Sequence, residues 1–286
     1  MFFALGLIGC PLEHSLSPRL HRAALQASGL EGEYELYVVP RLPAGEQEMV
    51  RMLERLRRGE MQGINVTIPH KQAVMRWLDD LTPTAQAIGA VNTIYRRDGQ
   101  LLGDNTDAAG FLADLEAGLG LTAVDQDKDR HALVLGAGGA ARSVAFALLQ
   151  TGWRVTIARR SVANSQWVGF GGPNARLRFV SMHDLAVESY DPLVRLIVNA
   201  TPVGMWPEVQ GNPWPVGEPF PAMAQVYDLV YNPAETALVR AARSVGLQAM
   251  NGLGMLVEQA ALAFERWTGL AAPRTAMAAA VEEVGR

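Results

Sequence analysis

The chain has 286 residues, 49% hydrophobic and 19% charged, which is enough apolar content for one large or two ordinary cores and argues against a disordered chain. Its formal net charge is −4 and it carries no basic tail or Lys/Arg-rich run, so nothing in the charge favours a nucleic-acid partner. The only cysteine, Cys10, can form neither an internal disulfide nor, by itself, a structural zinc site, which points to a reducing, cytosolic compartment.

In chain order, the opening FFALGLIG lacks the basic flank of a signal peptide and is too short to span a membrane. No later stretch reaches the ~18 apolar residues of a spanning helix, so a soluble cytoplasmic protein is expected. FALGLIG (3–9) has the look of a buried strand. SPRLHRAALQASG (17–29) predicts a helix, with Ser17 as N-cap, Pro18 at the first helical position and Gly29 at the end. YELYVV (34–39) predicts a second strand, 45–59 a helix, INVTI (64–68) a third strand and KQAVMRWLDDL another helix. VNTIYRR (91–97) and QLLGDN (100–105) flank Asp98-Gly99, a hairpin signal. A helix over 106–120 follows, then the charged linker DQDKDR (125–130), in which Lys128 reads as a solvated surface residue. Beyond it come ALVLG (132–136), a helix, RVTIA (154–158), VRLIVNA (194–200) and QVYDLVY (225–231), and two closing helices, one of them 254–269. Near-continuous apolar strands separated by helices predict a parallel sheet covered on both faces.

After the strand ALVL comes GAGGAA, which fits G-x-G-x-x-G/A with Gly136, Gly138 and Ala141. The first glycine permits a tight turn, the second lets the backbone approach a pyrophosphate, and the small third residue packs helix on strand. The preceding strand, the following helix and a second strand ending about 20 residues on give this short motif its context. That second strand ends in Ala158-Arg159-Arg160-Ser161, where an NAD enzyme would place a carboxylate for the ribose 2′-hydroxyl. Two guanidiniums instead suit a 2′-phosphate, which favours NADP.

A nicotinamide cofactor implies hydride transfer at a carbonyl or alcohol, and such a reaction needs a proton donor. Of 25 Lys+Arg only Lys71 and Lys128 are lysines. Arginine almost never deprotonates, whereas lysine can shuttle a proton. Lys71 closes NVTIPHK (65–71), just past a strand's C-terminal end. Asn65 and Thr67 share one face of that strand by period-2 alternation, suited either to a hydroxylated ligand or to water at a sheet edge. Ser15 and Ser17 in HSLSP face the same way if the segment is extended, and Asn92 in GAVNT sits at an otherwise apolar strand start. Asp104 and Asp107 bracket Asn105 and Thr106, and a carboxylate near Lys71 would hold its ammonium.

These residues resemble the shikimate dehydrogenase family over nearly the whole chain. The motifs HSLSP (14–18), NVTIPHK (65–71), GAVNT (89–93), DNTD (104–107), GAGGAAR (136–142), NATPVGM (199–205), YDLVYNP (227–233) and NGLGMLVEQAALAFERWTG (251–269) stand in the family's order. The resemblance implies NADPH-dependent reduction of 3-dehydroshikimate to shikimate, a step of aromatic amino-acid biosynthesis, with no metal. It implies Lys71 as the catalytic lysine with Asp107 as its partner, and Ser15, Ser17, Asn65, Thr67, Asn92, Tyr231 and Gln259 as substrate ligands. It implies Gly136, Ala137, Gly138, Gly139 and Ala140 as the phosphate loop, Arg159 and Arg160 at the ribose end, Thr201 at the cofactor, and Leu229 and Gly252 beside the nicotinamide.

The implied architecture is two α/β domains with a cleft between them: a substrate domain of 1–107 plus 251–286 and a Rossmann-type NADP domain of 108–250. A monomer or homodimer is implied. The chain departs from the family at Ala158-Arg159-Arg160, where members often read Asn-Arg-Thr, and at Ala163, where a later arginine often falls. The proline-rich loop from Met205 to Gln225, with Trp206 and Trp214, is long enough to expect a functional role as a rim over the cofactor. Two alternatives stay open: a quinate/shikimate dehydrogenase using NAD, against which Arg159-Arg160 argue, and a non-catalytic NADP-binding regulator, against which intact Lys71 and Asp107 argue.

Overall fold

The computed structural model describes residues 2–121, 130–161, 167, 176–185 and 191–282, so Lys128, Ala163 and most of the 125–130 linker lie outside the described residues. The chain divides into two units: one runs to Asp107 and resumes at Val257, and the other is Ala108–Leu256.

The first unit is built on β1 (Phe2–Gly9), β2 (Glu31–Val38), β3 (Gly63–Val66), β4 (Asp80–Leu81), β5 (Thr93–Arg97) and β6 (Gln100–Asp104), in the order β2-β1-β3-β5-β6-β4. β1 runs parallel to β2 and β3, whereas β5 is antiparallel to β3 and β6. The β5–β6 hairpin turns at Asp98 (φ 51°) and Gly99 (φ 82°), the paired positive φ of a two-residue type I′ turn. Helix α1 (Ser17–Ala27) packs on β2 and on the last described helix, α8 (Arg274–Glu282), and the short α3 (Pro83–Ile88) precedes β5. Helix α2 (Glu46–Arg57) buries Met49, Met52, Leu53 and Leu56, its i, i+3, i+4, i+7 stripe, in a core with Ile8, Ile64, Val74 and Ile94. Gly63 has no Cβ because Trp267 of α7 (Leu253–Thr268) fills that space, its Nε1 donating to the Ile94 carbonyl at 3.2 Å.

Two expectations are corrected in this unit. Leu16, not Ser17, is the N-cap of α1; Ser17 is already helical, and its N–H donates to Ser15 Oγ at 3.3 Å. The helix expected over 71–81 is a 3₁₀ turn, Ala73–Trp77, followed by β4. Tertiary partners explain the change. Arg57 grips Asp79 with two bonds (2.7 and 3.3 Å), and Asp79 exchanges bonds with the Leu101 backbone, drawing the segment into the sheet.

In the second unit, β7 (His131–Leu135), β8 (Arg154–Arg159), β9 (Leu177–Ser181), β10 (Val194–Asn199), β11 (Gln225–Asp228) and β12 (Ala249–Asn251) form one sheet in the order β12-β11-β10-β7-β8-β9. Every neighbouring pair is parallel. Helices α4 (Asp107–Leu119, all but its first residue in this unit), α5 (Gly139–Gln150) and α6 (Ala237–Ser244) accompany it. The core holds Leu133, Leu135, Val194, Ile197, Val226 and Leu238. Strand order reverses between β7 and β10, the switch point outside whose carboxyl ends dinucleotides bind in such sheets. β11 stops at Asp228, three residues short of the expected strand end.

Candidate active site

Lys71 sits where strand β3 gives way to a tight turn. The His70 N–H donates to the Thr67 carbonyl at 2.9 Å, and the buried His70 ring meets the Val39 carbonyl at 2.8 Å through Nε2. The Lys71 carbonyl accepts Val91 N–H at 2.7 Å. With its backbone held this way, Lys71 Nζ lies 2.6 Å from Asp107 Oδ2, and the two side chains are only 16% and 5% exposed. A solvated surface lysine is therefore excluded. Asp107 is the first residue of α4, where a carboxylate is favoured by the helix dipole.

The second Asp107 oxygen, Oδ1, accepts from Asn92 Nδ2 at 2.8 Å. Asn92 Nδ2 also meets Thr106 Oγ1 at 2.9 Å and Gln259 Oε1 at 3.4 Å, and its Oδ1 accepts the Thr106 N–H at 2.8 Å. Asn65 is 5% exposed on β3, a strand flanked on both sides, so the water-facing edge alternative fails. Its Nδ2 donates to the Asn92 carbonyl (3.1 Å) and Thr93 Oγ1 (3.2 Å), and its Oδ1 accepts from the buried Tyr34 hydroxyl (2.8 Å). Lys71, Asp107, Asn92, Asn65 and Gln259 thus belong to one bonded cluster. Ser15 and Thr67 are half-buried in the same unit, and Ser17 is buried. Tyr231 belongs to the second unit.

Asp104 takes a different role from Asp107. It accepts Thr82 Oγ1 at 2.6 Å and Arg266 Nε at 3.0 Å, a brace between elements. Sequence reasoning passed over Tyr34, Thr93 and Thr106. Tyr34 was only one apolar position of a strand. Thr93 and Thr106 stood inside GAVNT and DNTD, where their neighbours to the chemistry could have flagged them.

In the second unit the glycine loop lies at the switch point. Gly136 has φ 106°, and a Cβ there would come within 2.9 Å of the Ala200 carbonyl oxygen. Gly138 caps α5 without any side-chain hydrogen bond, α5 has no acid in its first turn, and a Cβ on Gly138 would meet nothing within 4 Å among the described residues. An uncapped helix start beside open space is a ready anion cradle. Buried Ala141 supplies the small residue that lets α5 lie close to the sheet. Arg159 is half-buried at the end of β8 and Arg160 is exposed beyond it.

On the other side of the switch, Thr201 donates through both N–H (3.0 Å) and Oγ1 (2.7 Å) to Asn199 Oδ1. Asn199 Nδ2 in turn donates to Asp228 Oδ1 at 2.8 Å. Asp228 is fully buried and also accepts Thr236 Oγ1 (2.6 Å) and Val230 N–H (3.0 Å); burial pushes its carboxyl up to about 6. Leu229 and Gly252 are neighbours, because a Cβ on Gly252 would stand 2.5 Å from the Leu229 carbonyl oxygen. In the proline-rich loop, Trp214 is buried, stacks on Phe220 and donates to the Glu218 carbonyl at 3.1 Å, while Trp206 is exposed.

A parallel sheet in this strand order with a glycine loop at its switch point, in one chain with an α/β unit bearing a buried lysine–carboxylate pair, defines a two-unit Rossmann-type dehydrogenase. Residues 7–94 match the family profile described as shikimate dehydrogenase substrate binding domain, and residues 252–282 that of the shikimate 5′-dehydrogenase C-terminal domain. The chain is 42% identical over 287 residues, 97% of it and 94% of the relative, to the shikimate dehydrogenase (NADP(+)) of Symbiobacterium thermophilum. It is 43% identical to the Salinibacter ruber enzyme of the same name, over 95% of this chain and 94% of that one. The crystal structure of shikimate 5-dehydrogenase from Thermus thermophilus in complex with NADP(H) and shikimate superimposes with a TM-score of 0.82, at 40% identity, over 98% of this chain and 99% of that one. The chain belongs to the shikimate dehydrogenase family.

Proposed function

We propose that this chain catalyses the reversible NADP-dependent reduction of 3-dehydroshikimate to shikimate, in the cytoplasm, as a step of aromatic amino-acid biosynthesis. The observation that carries the reading is the Lys71–Asp107 pair, 2.6 Å apart and largely withdrawn from water, inside a cluster of asparagine and glutamine amides. NADPH, when bound, supplies the hydride. Lys71 gives the proton: as the ketone carbon gains hydride, the ammonium transfers a proton to the oxygen, leaving a hydroxyl and a neutral amine that regains its proton from solvent. Asp107 keeps the ammonium aimed, and in the reverse direction the amine takes the hydroxyl proton back.

Ser15, Ser17, Asn65, Thr67, Asn92, Tyr231 and Gln259 bind the substrate's hydroxyls and carboxylate. Residues 136–140 hold the pyrophosphate at the start of α5, which fits the open space beside Gly138. Arg159 and Arg160 meet the 2′-phosphate, and Thr201, Leu229 and Gly252 flank the nicotinamide. The test is the initial rate with shikimate and with quinate, each against NADP and NAD. Shikimate with NADP is expected to lead in kcat/KM by roughly tenfold or more, the scale of one well-placed polar contact. A lead for quinate or NAD would overturn the substrate or cofactor assignment while leaving the Lys71 chemistry standing.

A further inference from the structure

Thr93 lies directly opposite Asn65 in the β3–β5 register, so their side chains share one face of the sheet. An asparagine amide is nearly symmetric in shape, and only its partners decide which way its oxygen points. Two backbone groups with a single role each decide it here. The Asn92 carbonyl can only accept, so Asn65 must turn Nδ2 toward it (3.1 Å), which leaves Oδ1 for the Tyr34 hydroxyl to donate to (2.8 Å). The Thr106 N–H can only donate, so Asn92 must turn Oδ1 toward it (2.8 Å), which leaves Nδ2 facing Asp107 Oδ1 (2.8 Å).

One hydroxyl joins the two amides. Thr93 Oγ1 accepts the second Nδ2 hydrogen of Asn65 at 3.2 Å and donates its own hydrogen to Asn92 Oδ1 at 3.1 Å. Thr93 is fully buried, so no water can stand in for it. The result is a directional chain from Tyr34 through Asn65, Thr93 and Asn92 to Asp107, with every proton pointing toward the carboxylate. The far end is packed among rings. The Tyr34 ring stacks on His21, centroids 4.4 Å apart and planes 5° apart, and Trp267 tilts against both. Burial pushes the Tyr34 hydroxyl above its ordinary range and His21 down to about 3, so the first remains a donor and the second remains uncharged.

We propose that Thr93, backed by Tyr34, is a positioning residue that orients the Asn65 and Asn92 amides and, through Asn92, the Asp107 carboxylate that holds Lys71. The inference rests on the reading of Lys71 and Asp107 given above. Thr93→Val keeps the shape and removes the hydroxyl; Thr93→Ser restores the hydroxyl without the methyl. With shikimate and NADP as substrates, Thr93→Val is expected to lower kcat about tenfold, with the KM for NADP unchanged and the melting temperature still well above that of the assay. Thr93→Ser is expected to return kcat to within about threefold of the parent. Lys71→Ala, assayed alongside, should lose roughly 10²-fold or more. If Lys71→Ala is impaired while Thr93→Val turns over within twofold of the parent, the positioning role is wrong and the Lys71 reading stands. If Thr93→Ser is as impaired as Thr93→Val, the hydroxyl is not the operative group and the proposal also falls. If Lys71→Ala itself keeps near-parental turnover, the reading beneath the proposal fails, and the proposal with it.

Discussion

At the scale of single residues, buried amides and carboxylates organise the polar groups of both units. Asp228 is one buried carboxyl whose protonation bears on stability. Its carboxyl is raised from the ordinary 3.8 to about 6 because it is buried, and three donated hydrogen bonds only partly offset that. The folded chain therefore holds this proton more tightly than the unfolded one. The contribution to stability is fully present below pH 3.8 and is lost as pH rises through about 6. A rise of that size corresponds to about 3 kcal/mol. Asp228→Asn should abolish that loss: the unfolding free-energy difference between variant and parent should shift in favour of the variant between pH 4.5 and 7. Denaturant titrations at four pH values would read it, and a difference that stays flat would show that Asp228 titrates normally. Lys71, Asp107, Asn65 and Asn92 were legible in the sequence because each breaks a local pattern, such as a lysine in an arginine-rich chain or an amide in an apolar strand. Tyr34 and Thr93 break none, since aromatic and β-branched residues are ordinary in strands, so only the folded neighbours reveal them.

At the scale of elements, the glycine loop offers a clean separation of fold from ligand. A methyl on Gly138 meets nothing within 4 Å among the described residues, and its φ of −78° is open to any residue. A methyl on Gly136 meets the Ala200 carbonyl at 2.9 Å, at φ 106°. If residues 136–140 hold the pyrophosphate as proposed, Gly138→Ala should leave the melting temperature within a degree or two yet weaken NADP binding at least tenfold, because the added methyl would occupy the start of α5. Gly136→Ala should destabilise the fold itself by about 1–3 kcal/mol. Calorimetry with and without NADP distinguishes them; equal NADP affinity in Gly138→Ala and parent would remove the loop from the phosphate site. Long periodic elements such as α2, α5 and the β5–β6 hairpin were readable from pattern and turn chemistry. The segment 71–81 was not: Val74, Trp77, Leu78 and Leu81 mimic a helical stripe, while Asp79, gripped by Arg57, commits the chain to the sheet. Short pieces such as β12, only three residues long, carry too little sequence to show a period.

At the scale of the whole molecule, alternation of apolar strands with helices was enough to predict a parallel sheet, whereas the strand order β12-β11-β10-β7-β8-β9 comes from the pairings of the folded chain, because right-handed crossovers permit more than one order. The mixed sheet of the first unit was less legible, since a residue-level pattern cannot tell which of several apolar strands becomes its neighbour. Hydrogen exchange on the intact protein can assign each ligand to its unit. NADP alone should slow exchange at 136–142, 199–203 and 229–230; shikimate added next should slow 65–71 and 92–107. Protection by NADP confined to the first unit would reverse the assignment of the two units. The discontinuity of the first unit has a further consequence for how the protein is made. Its six strands are complete by Asp104, but Asp104 waits for Arg266, Asn92 for Gln259 and the Ile94 carbonyl for Trp267. All three arrive only after the entire second unit has left the ribosome, a delay on the order of ten seconds at ordinary synthesis rates. The earlier-born sheet thus waits for contacts that the later-born second unit, Ala108–Leu256, does not need, so the amino-terminal half is the last part of the newborn molecule to be completed.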